Sequence, residues 1–183
     1  MTAGTKTLTL LRHAKSGWDD PALRDYDRAL NARGKRAAAL IGGYLRSGGA
    51  VFDHIIASPA LRVVETLAQV ETGYGRTLAP EWDRRIYLAS AVTLLDIVHE
   101  FSEDSARVLL VGHNPGLEDL AMLLVPNSDE PARVALEAKY PTATIAELAF
   151  EGGWADLAAG SARLDAELTG RHGACEPRRR PRH

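Results

Sequence analysis

Two stretches of the chain run apolar and then meet a histidine. Thr7-Leu8-Thr9-Leu10-Leu11 leads into Arg12-His13, and Arg107 to Val111 leads into Gly112-His113. A third segment, Ser58-Pro59-Ala60-Leu61-Arg62, follows the short apolar run Phe52 to Ala57 and sets an arginine where a helix pattern begins. The backbone N–H groups of a helix start already favour an anion, and a guanidinium adds a forked cation to them. Alone, each histidine segment reads better as an ordinary loop. If the three strand ends lie side by side, two guanidiniums and two imidazoles converge. Such a set would repel itself without an anion between its members, and phosphate is the natural candidate. One imidazole then attacks phosphorus and carries the phosphoryl group. The other three groups hold the equatorial oxygens as the transition state forms.

The elements that must position these residues follow from periodicity. Strands are expected at Thr7–Leu11, Phe52–Ala57, Arg107–Val111 and Thr142–Phe150, with a brief one at Thr77–Ala79. Helices are expected at Arg28–Ser47, stopped by Gly48-Gly49, and from Ser58-Pro59 through about Val70. Two more are expected at Ala91–Phe101 and from Asn114-Pro115 through Leu124. Ser58-Pro59 and Asn114-Pro115 both read as an N-cap with proline at the first helical position. Residues 126–141 read as an irregular excursion with a helical turn or two, and Trp154 to Leu157 as a further strand or edge. Strands alternating with helices predict an α/β fold: a three-layer α/β/α sandwich with a mostly parallel sheet. Ligands of such sheets sit beyond the carboxyl ends of the strands, where His13 and His113 fall.

Composition narrows the function classes. At 183 residues the chain fits one domain, expected over residues 1–170, with a basic tail at 171–183. That tail holds five Arg against Glu176 alone, and it is expected to lie solvated or draped on the surface. The net charge of −2 predicts neither a nucleic-acid nor a membrane partner. One cysteine, Cys175, excludes an internal disulfide framework. The polar start Met1 to Lys6 and the lack of a long apolar run predict a cytoplasmic protein. No His or Cys spacing suggests a metal site, no Gly-rich nucleotide loop is present, and the proposed chemistry needs no cofactor. Trp18, Trp82 and Trp154 are expected as wall or core residues, His54 at a strand start and His99 on a helix face.

Taken in order, Leu11-Arg12-His13, Ser58-x-x-x-Arg62-x-x-Glu65-Thr66 and Gly112-His113 resemble the histidine phosphatase (phosphoglycerate mutase-like) superfamily. Arg12-His13-Ala14-Lys15-Ser16 is similar to the small single-domain phosphohistidine phosphatases of the SixA type. Asp27-Arg28-Ala29-Leu30-Asn31-Ala32-Arg33-Gly34, Gly112-His113-Asn114-Pro115 and Tyr140-Pro141-Thr142 add to that likeness. The resemblance implies a phosphoglycerate mutase-like fold, His13 as the nucleophile, and Arg12, Arg62 and His113 as its phosphate pocket. It also implies substrate contacts from Ser16 and Asn114, and a phosphorylated protein or small phosphorylated molecule as partner, with phosphate released. Glu65 and Thr66 are expected to pack and pair behind the pocket.

Two departures from the family pattern matter. Where larger members carry an asparagine six positions after the nucleophile, this chain has Asp19, which is left out of the phosphate shell. Where they carry a glutamate that protonates the leaving oxygen, this chain has Arg84, with Glu81 and Asp83 off register. An alkoxide needs that acid, since it resembles hydroxide, whose parent water has a pKa of about 15.7. An imidazole leaves as a neutral ring whose conjugate acid has a pKa near ~6.5 and scarcely needs help. The expectation is therefore a metal-independent phosphatase acting on phosphohistidine in a signalling protein. A broad phosphomonoesterase and a non-catalytic phospho-ligand binder remain the alternatives.

Overall fold

A computed structural model describes residues 4–138 and 140–170. The tail at 171–183 lies outside the described residues. Six strands form one sheet: β1 (Thr5–Arg12), β2 (His54–Ala57), β3 (Glu81–Trp82), β4 (Arg107–Gly112), β5 (Thr144–Glu151) and β6 (Arg163–Thr169). Their order is β3-β2-β4-β1-β5-β6, with β1 to β4 mutually parallel and β5 and β6 antiparallel to their neighbours. The helices are α1 (Ala32–Ser47), α2 (Leu61–Tyr74), α3 (Ala91–His99), α4 (Gly116–Leu124) and α5 (Glu130–Ala138).

The buried strands supply both faces. Leu8, Leu10, Val108 and Leu110 pack with Leu94, Val98, Leu117 and Leu120 of α3 and α4. The residues between them, Leu11, Leu109 and Val111, pack with Ile41, Leu45, Val63 and Leu67 of α1 and α2. Side chains alternate across a strand, so a run apolar at every position is what a sheet covered on both faces requires. The three-layer α/β/α architecture with a mostly parallel sheet follows directly.

Several boundaries shift for identifiable reasons. Helix α1 opens four residues later than expected, because Asn31 caps it by accepting a hydrogen bond from Gly34 N at 2.8 Å. Helix α2 opens at Leu61 behind Ala60, with no side-chain cap, because the Ser58 hydroxyl is 2.8 Å from His113 Nε2 instead. Pro115, not Asn114, holds the position before α4. The brief third strand pairs at Glu81–Trp82 with Ile56 and Ala57, and Thr77–Ala79 stays outside the sheet. Trp154–Asp156 is a 3₁₀ turn that seats Trp154 fully in the core, its Nε1 donating to Ser105 O. The added strand is β6, where Leu164, Ala166 and Leu168 are buried between polar neighbours. Residues 126–141 hold α5, a longer helix than the turn or two expected.

Candidate active site

Parallel pairing of β1 with β4 places Arg12 opposite Gly112, so the residues that follow them emerge together. His13 N donates to Gly112 O at 3.1 Å, and the His13 and His113 rings lie 5.2 Å apart. Strand β2 lies on the other side of β4, and Ser58 N donates to Val111 O, which brings the start of α2 to the same end. Arg62, in the first turn of α2, is 2% exposed and its Nε donates to His13 Nε2 at 3.3 Å.

The hydrogen bonds fix what each ring offers. His13 Nδ1 lies 2.7 Å from Ala14 O, a contact that requires the proton on Nδ1. Nε2 is then the lone-pair nitrogen, and the Arg62 Nε–H directed at it agrees with that. Burial lowers His13 to a pKa of about 4, against the Ala14 contact that raises it and with Arg62, Arg12 and Arg28 pressing the same way as burial. Burial, with His13 and Arg62 nearby, brings His113 down to about 3. Both imidazoles are therefore neutral at neutral pH, as a nitrogen nucleophile must be. His113 Nδ1 is buried and has no hydrogen-bond partner among the described residues.

A residue that sequence reasoning missed organises this end. The Asp25 carboxylate accepts from Arg62 at 2.9 Å, from Arg28 at 2.7 and 3.0 Å, and from the Tyr87 hydroxyl at 2.7 Å. The Asp25 carbonyl oxygen takes a further hydrogen bond from Arg62 at 2.6 Å. Burial works to raise the Asp25 carboxyl, but the Tyr87 hydroxyl and the two guanidiniums outweigh it and hold its pKa at about 2. The expectation that the cations converge without a carboxylate is thus corrected. One carboxylate links Arg28 and Arg62, and the three together retain a net positive charge.

The remaining sequence-predicted residues fall into two sets. Arg12 donates to Tyr140 O at 2.6 Å, and Asn114 Nδ2 donates to the same oxygen at 3.1 Å and to Glu118 at 2.9 Å. Asn114 thus sits behind Arg12 with its amide donors committed. The Tyr-Pro motif anchors Arg12 through the Tyr140 carbonyl, and the Tyr140 hydroxyl is itself tied down by donating to Leu10 O. Ser16 is buried, its backbone bridged to Leu30. Thr66 accepts from Ala14 N at 2.9 Å and Glu65 from Leu30 N at 2.6 Å, so both clamp the loop that carries His13 and Asp25. Gly34 lies so close to this loop that a Cβ would collide with Lys15 O.

In the loop that follows β3, the Asp83 carboxylate is committed to a neighbouring guanidinium. Asp83 caps the turn Arg84–Ile86 and accepts from the Arg85 guanidinium at 2.7 Å, which lowers its carboxyl. Arg85 in turn bonds Glu100. Arg84 is exposed, its guanidinium 5.9 Å from the Tyr26 ring, and Asp19 is exposed. Among the described residues no group of three His, Cys, Asp or Glu side chains is placed to hold a metal ion, and no helix is long and apolar enough to cross a membrane.

The likeness to known proteins covers nearly the whole chain. The model of the histidine phosphatase superfamily (branch 1) matches residues 8–86, the stretch from β1 through the turn after β3. An uncharacterized protein of Mycobacterium tuberculosis is 36% identical over 156 residues, which cover 84% of this chain and 96% of the relative. Among solved structures, a "Putative Phosphohistidine Phosphatase SixA" from Nakamurella multipartitia is 33% identical, with a TM-score of 0.75 over 91% of this chain and 97% of the other. A protein of the same description from Agrobacterium tumefaciens is 27% identical, again at a TM-score of 0.75, over 89% and 97% of the two chains. With family model, close relatives and fold in agreement, the chain belongs to the histidine phosphatase superfamily.

Proposed function

We propose that the chain is a phosphohistidine phosphatase that works through a phosphoryl group carried on His13. His13 Nε2 attacks phosphorus with its lone pair while Nδ1–H stays on Ala14 O. The substrate's P–N bond breaks, and the leaving imidazole, already protonated on its other ring nitrogen, keeps that electron pair and departs as a neutral ring. In the second half, water attacks phospho-His13, phosphate departs, and the imidazole is restored. Arg62 and Arg12 supply positive charge to the phosphoryl oxygens, a preorganised arrangement of the kind worth most at the transition state. His113, with the Ser58 hydroxyl donating to its Nε2, presents Nδ1–H to a third oxygen. Ser16 and Asn114 complete the pocket's wall and backing. No step draws on a metal or a cofactor.

One observation carries the choice of substrate. Asp25, bonded to Arg62, and Asp83, in the loop beside Arg84, are each held ionised with guanidinium partners. A site whose carboxylates hold no proton suits an imidazole protonated on its second nitrogen, which leaves as a neutral ring, and handicaps an alkoxide. The two SixA-type relatives named above support the same substrate class, and a histidine-containing phosphotransfer protein in a signalling relay is the natural carrier. The test compares kcat/KM on a phosphorylated phosphotransfer domain and on phosphoramidate with that on sugar phosphates and phosphoserine. The reading requires the P–N substrates to lead by at least about 10², the low end of what a general acid contributes. Preference for a sugar phosphate would establish the phosphomonoesterase alternative, and binding of all substrates without turnover the non-catalytic one.

A further inference from the structure

His13 is 8% exposed, so a phosphohistidine on a protein reaches it only if the protein's own surface comes down on the rim. An imidazole is a short tether. The rim is unusual in what it exposes. Trp18 is 74% exposed, one face of its indole covered by the Arg28 guanidinium at 3.6 Å. Arg28 is itself buried and fixed on Asp25, and the backbone beside Trp18 is pinned by Gly17 N donating to Ala29 O. The indole is thus held out on a rigid base with its second face open. Leu23, 48% exposed, lies two residues before Asp25.

Leu88 is 56% exposed and follows Tyr87, whose hydroxyl meets Asp25 and whose ring lies 5.4 Å from His113. Its φ of 50° is in the left-handed region, which disfavours any residue with a side chain. An exposed leucine there gains little from burial in the folded chain and keeps a backbone that glycine would occupy more easily. Three exposed apolar side chains therefore stand on the segments that hold Asp25, Arg28 and Tyr87.

We infer that Trp18, with Leu23 and Leu88 on segments joined to it through Asp25, is the docking surface for a folded carrier protein, whose phosphohistidine projects from an apolar patch. This rests on the phosphohistidine reading above and narrows it from a chemical bond to a macromolecular substrate. A buried aromatic anchor ringed by smaller contacts is the usual anatomy of such an interface. Small phosphorylated molecules make no use of it. Removing Trp18 leaves both Arg28–Asp25 hydrogen bonds in place, so the surface is separable from the phosphoryl pocket.

The experiment measures kcat and KM on two substrates, phosphoramidate and a phosphorylated histidine-containing phosphotransfer domain, for wild type, Trp18→Ala, Trp18→Phe and Leu88→Gly. Trp18→Ala is expected to raise KM on the carrier domain by about tenfold or more, the effect of losing an interface anchor. Its kcat on the carrier and its kcat/KM on phosphoramidate should stay within about twofold, and Trp18→Phe should recover most of the loss. Leu88→Gly is expected to raise the carrier KM by about threefold with no fall in Tm, since glycine accepts the left-handed backbone. An unchanged carrier KM in Trp18→Ala, or equal losses on both substrates, overturns the docking surface. A wild type active on phosphoramidate but not on the carrier overturns it while the P–N chemistry stands. Activity on neither overturns the phosphohistidine reading as well.

Discussion

At the amino end of the sheet charges meet in simple pairs: Lys6 with Glu103 at 2.8 Å, Arg107 with Asp53 at 2.9 Å, and Arg163 with Asp165. At the carboxyl end, Arg28 and Arg62 lean on a single carboxylate, and the two buried imidazoles, one residue beyond β1 and β4, sit without charge. Both ends are built on the same parallel strands, so backbone geometry does not account for the contrast. Half-exposed pairs such as Arg107–Asp53 cost little to keep in water and add little to stability. A buried guanidinium sharing its counter-ion is expensive unless something anionic completes it, and that expense marks the end where phosphate belongs.

The largest effect is expected where the contrast is greatest. Arg62→Ala should lower kcat by roughly 10²–10³, as removal of one preorganised electrostatic donor does. Arg62→Lys should recover only part, because the fork that spans His13 and Asp25 is lost. Steady-state kinetics on phosphoramidate decides it, and a lysine variant equal to wild type would reduce Arg62 to a distant charge.

Acid should also find the catalytic end first. His13 and His113 have folded pKa values of about 4 and about 3, both below the unfolded value near ~6.5. As pH falls past that value the unfolded chain takes up protons that the folded chain refuses. Stability from these groups is complete above ~6.5 and drains as pH drops toward 4, at up to roughly 1.4 kcal/mol per pH unit for each ring. Chemical unfolding at pH 7, 6 and 5 should show the decline, and His13→Gln with His113→Gln should flatten it. An equal slope in the double variant would mean that the rings are not held neutral.

Much of this arrangement was legible in the sequence, and the reason is local. The apolar run Val108–Val111 of β4 announces a doubly covered sheet, and a histidine directly after each of β1 and β4 has only one end of the sheet to occupy. Strand β6 was equally readable in principle, because Leu164, Ala166 and Leu168 alternate with charged neighbours, yet its polar half disguised an edge strand. Asp25 was not readable. It lies in an irregular charged loop with no period, and its importance comes from Arg62, Arg28 and Tyr87, two of which reach it from distant parts of the chain. Ser58 misled in the other direction. Its position before a proline spelled a helix cap, and the nearby His113 ring claimed its hydroxyl.

Asp25 and Asp53 provide a direct comparison of the two ends. Asp25→Asn keeps the volume but removes the charge shared by Arg28 and Arg62, so Arg62 loses its orientation and kcat/KM should fall roughly tenfold. A variant with full activity would show that the Asp25 carbonyl oxygen alone suffices to hold Arg62. Asp53→Asn, at the other end, should leave kcat/KM unchanged and shift stability by about 0.2–1 kcal/mol, measurable as a small change in denaturation midpoint. A loss of activity there would break the division between the two ends.

The central claim is that phosphorus passes through His13. Wild-type protein is mixed with phosphoramidate for less than one turnover and quenched in alkali, where phosphohistidine survives. It is then digested and mapped by mass spectrometry, with His13→Ala treated in parallel. The account predicts a phosphoryl group on the peptide containing His13, decaying as phosphate appears, and none anywhere in His13→Ala, whose turnover is abolished. A phosphoryl group on His113, or undiminished turnover by His13→Ala, would contradict it.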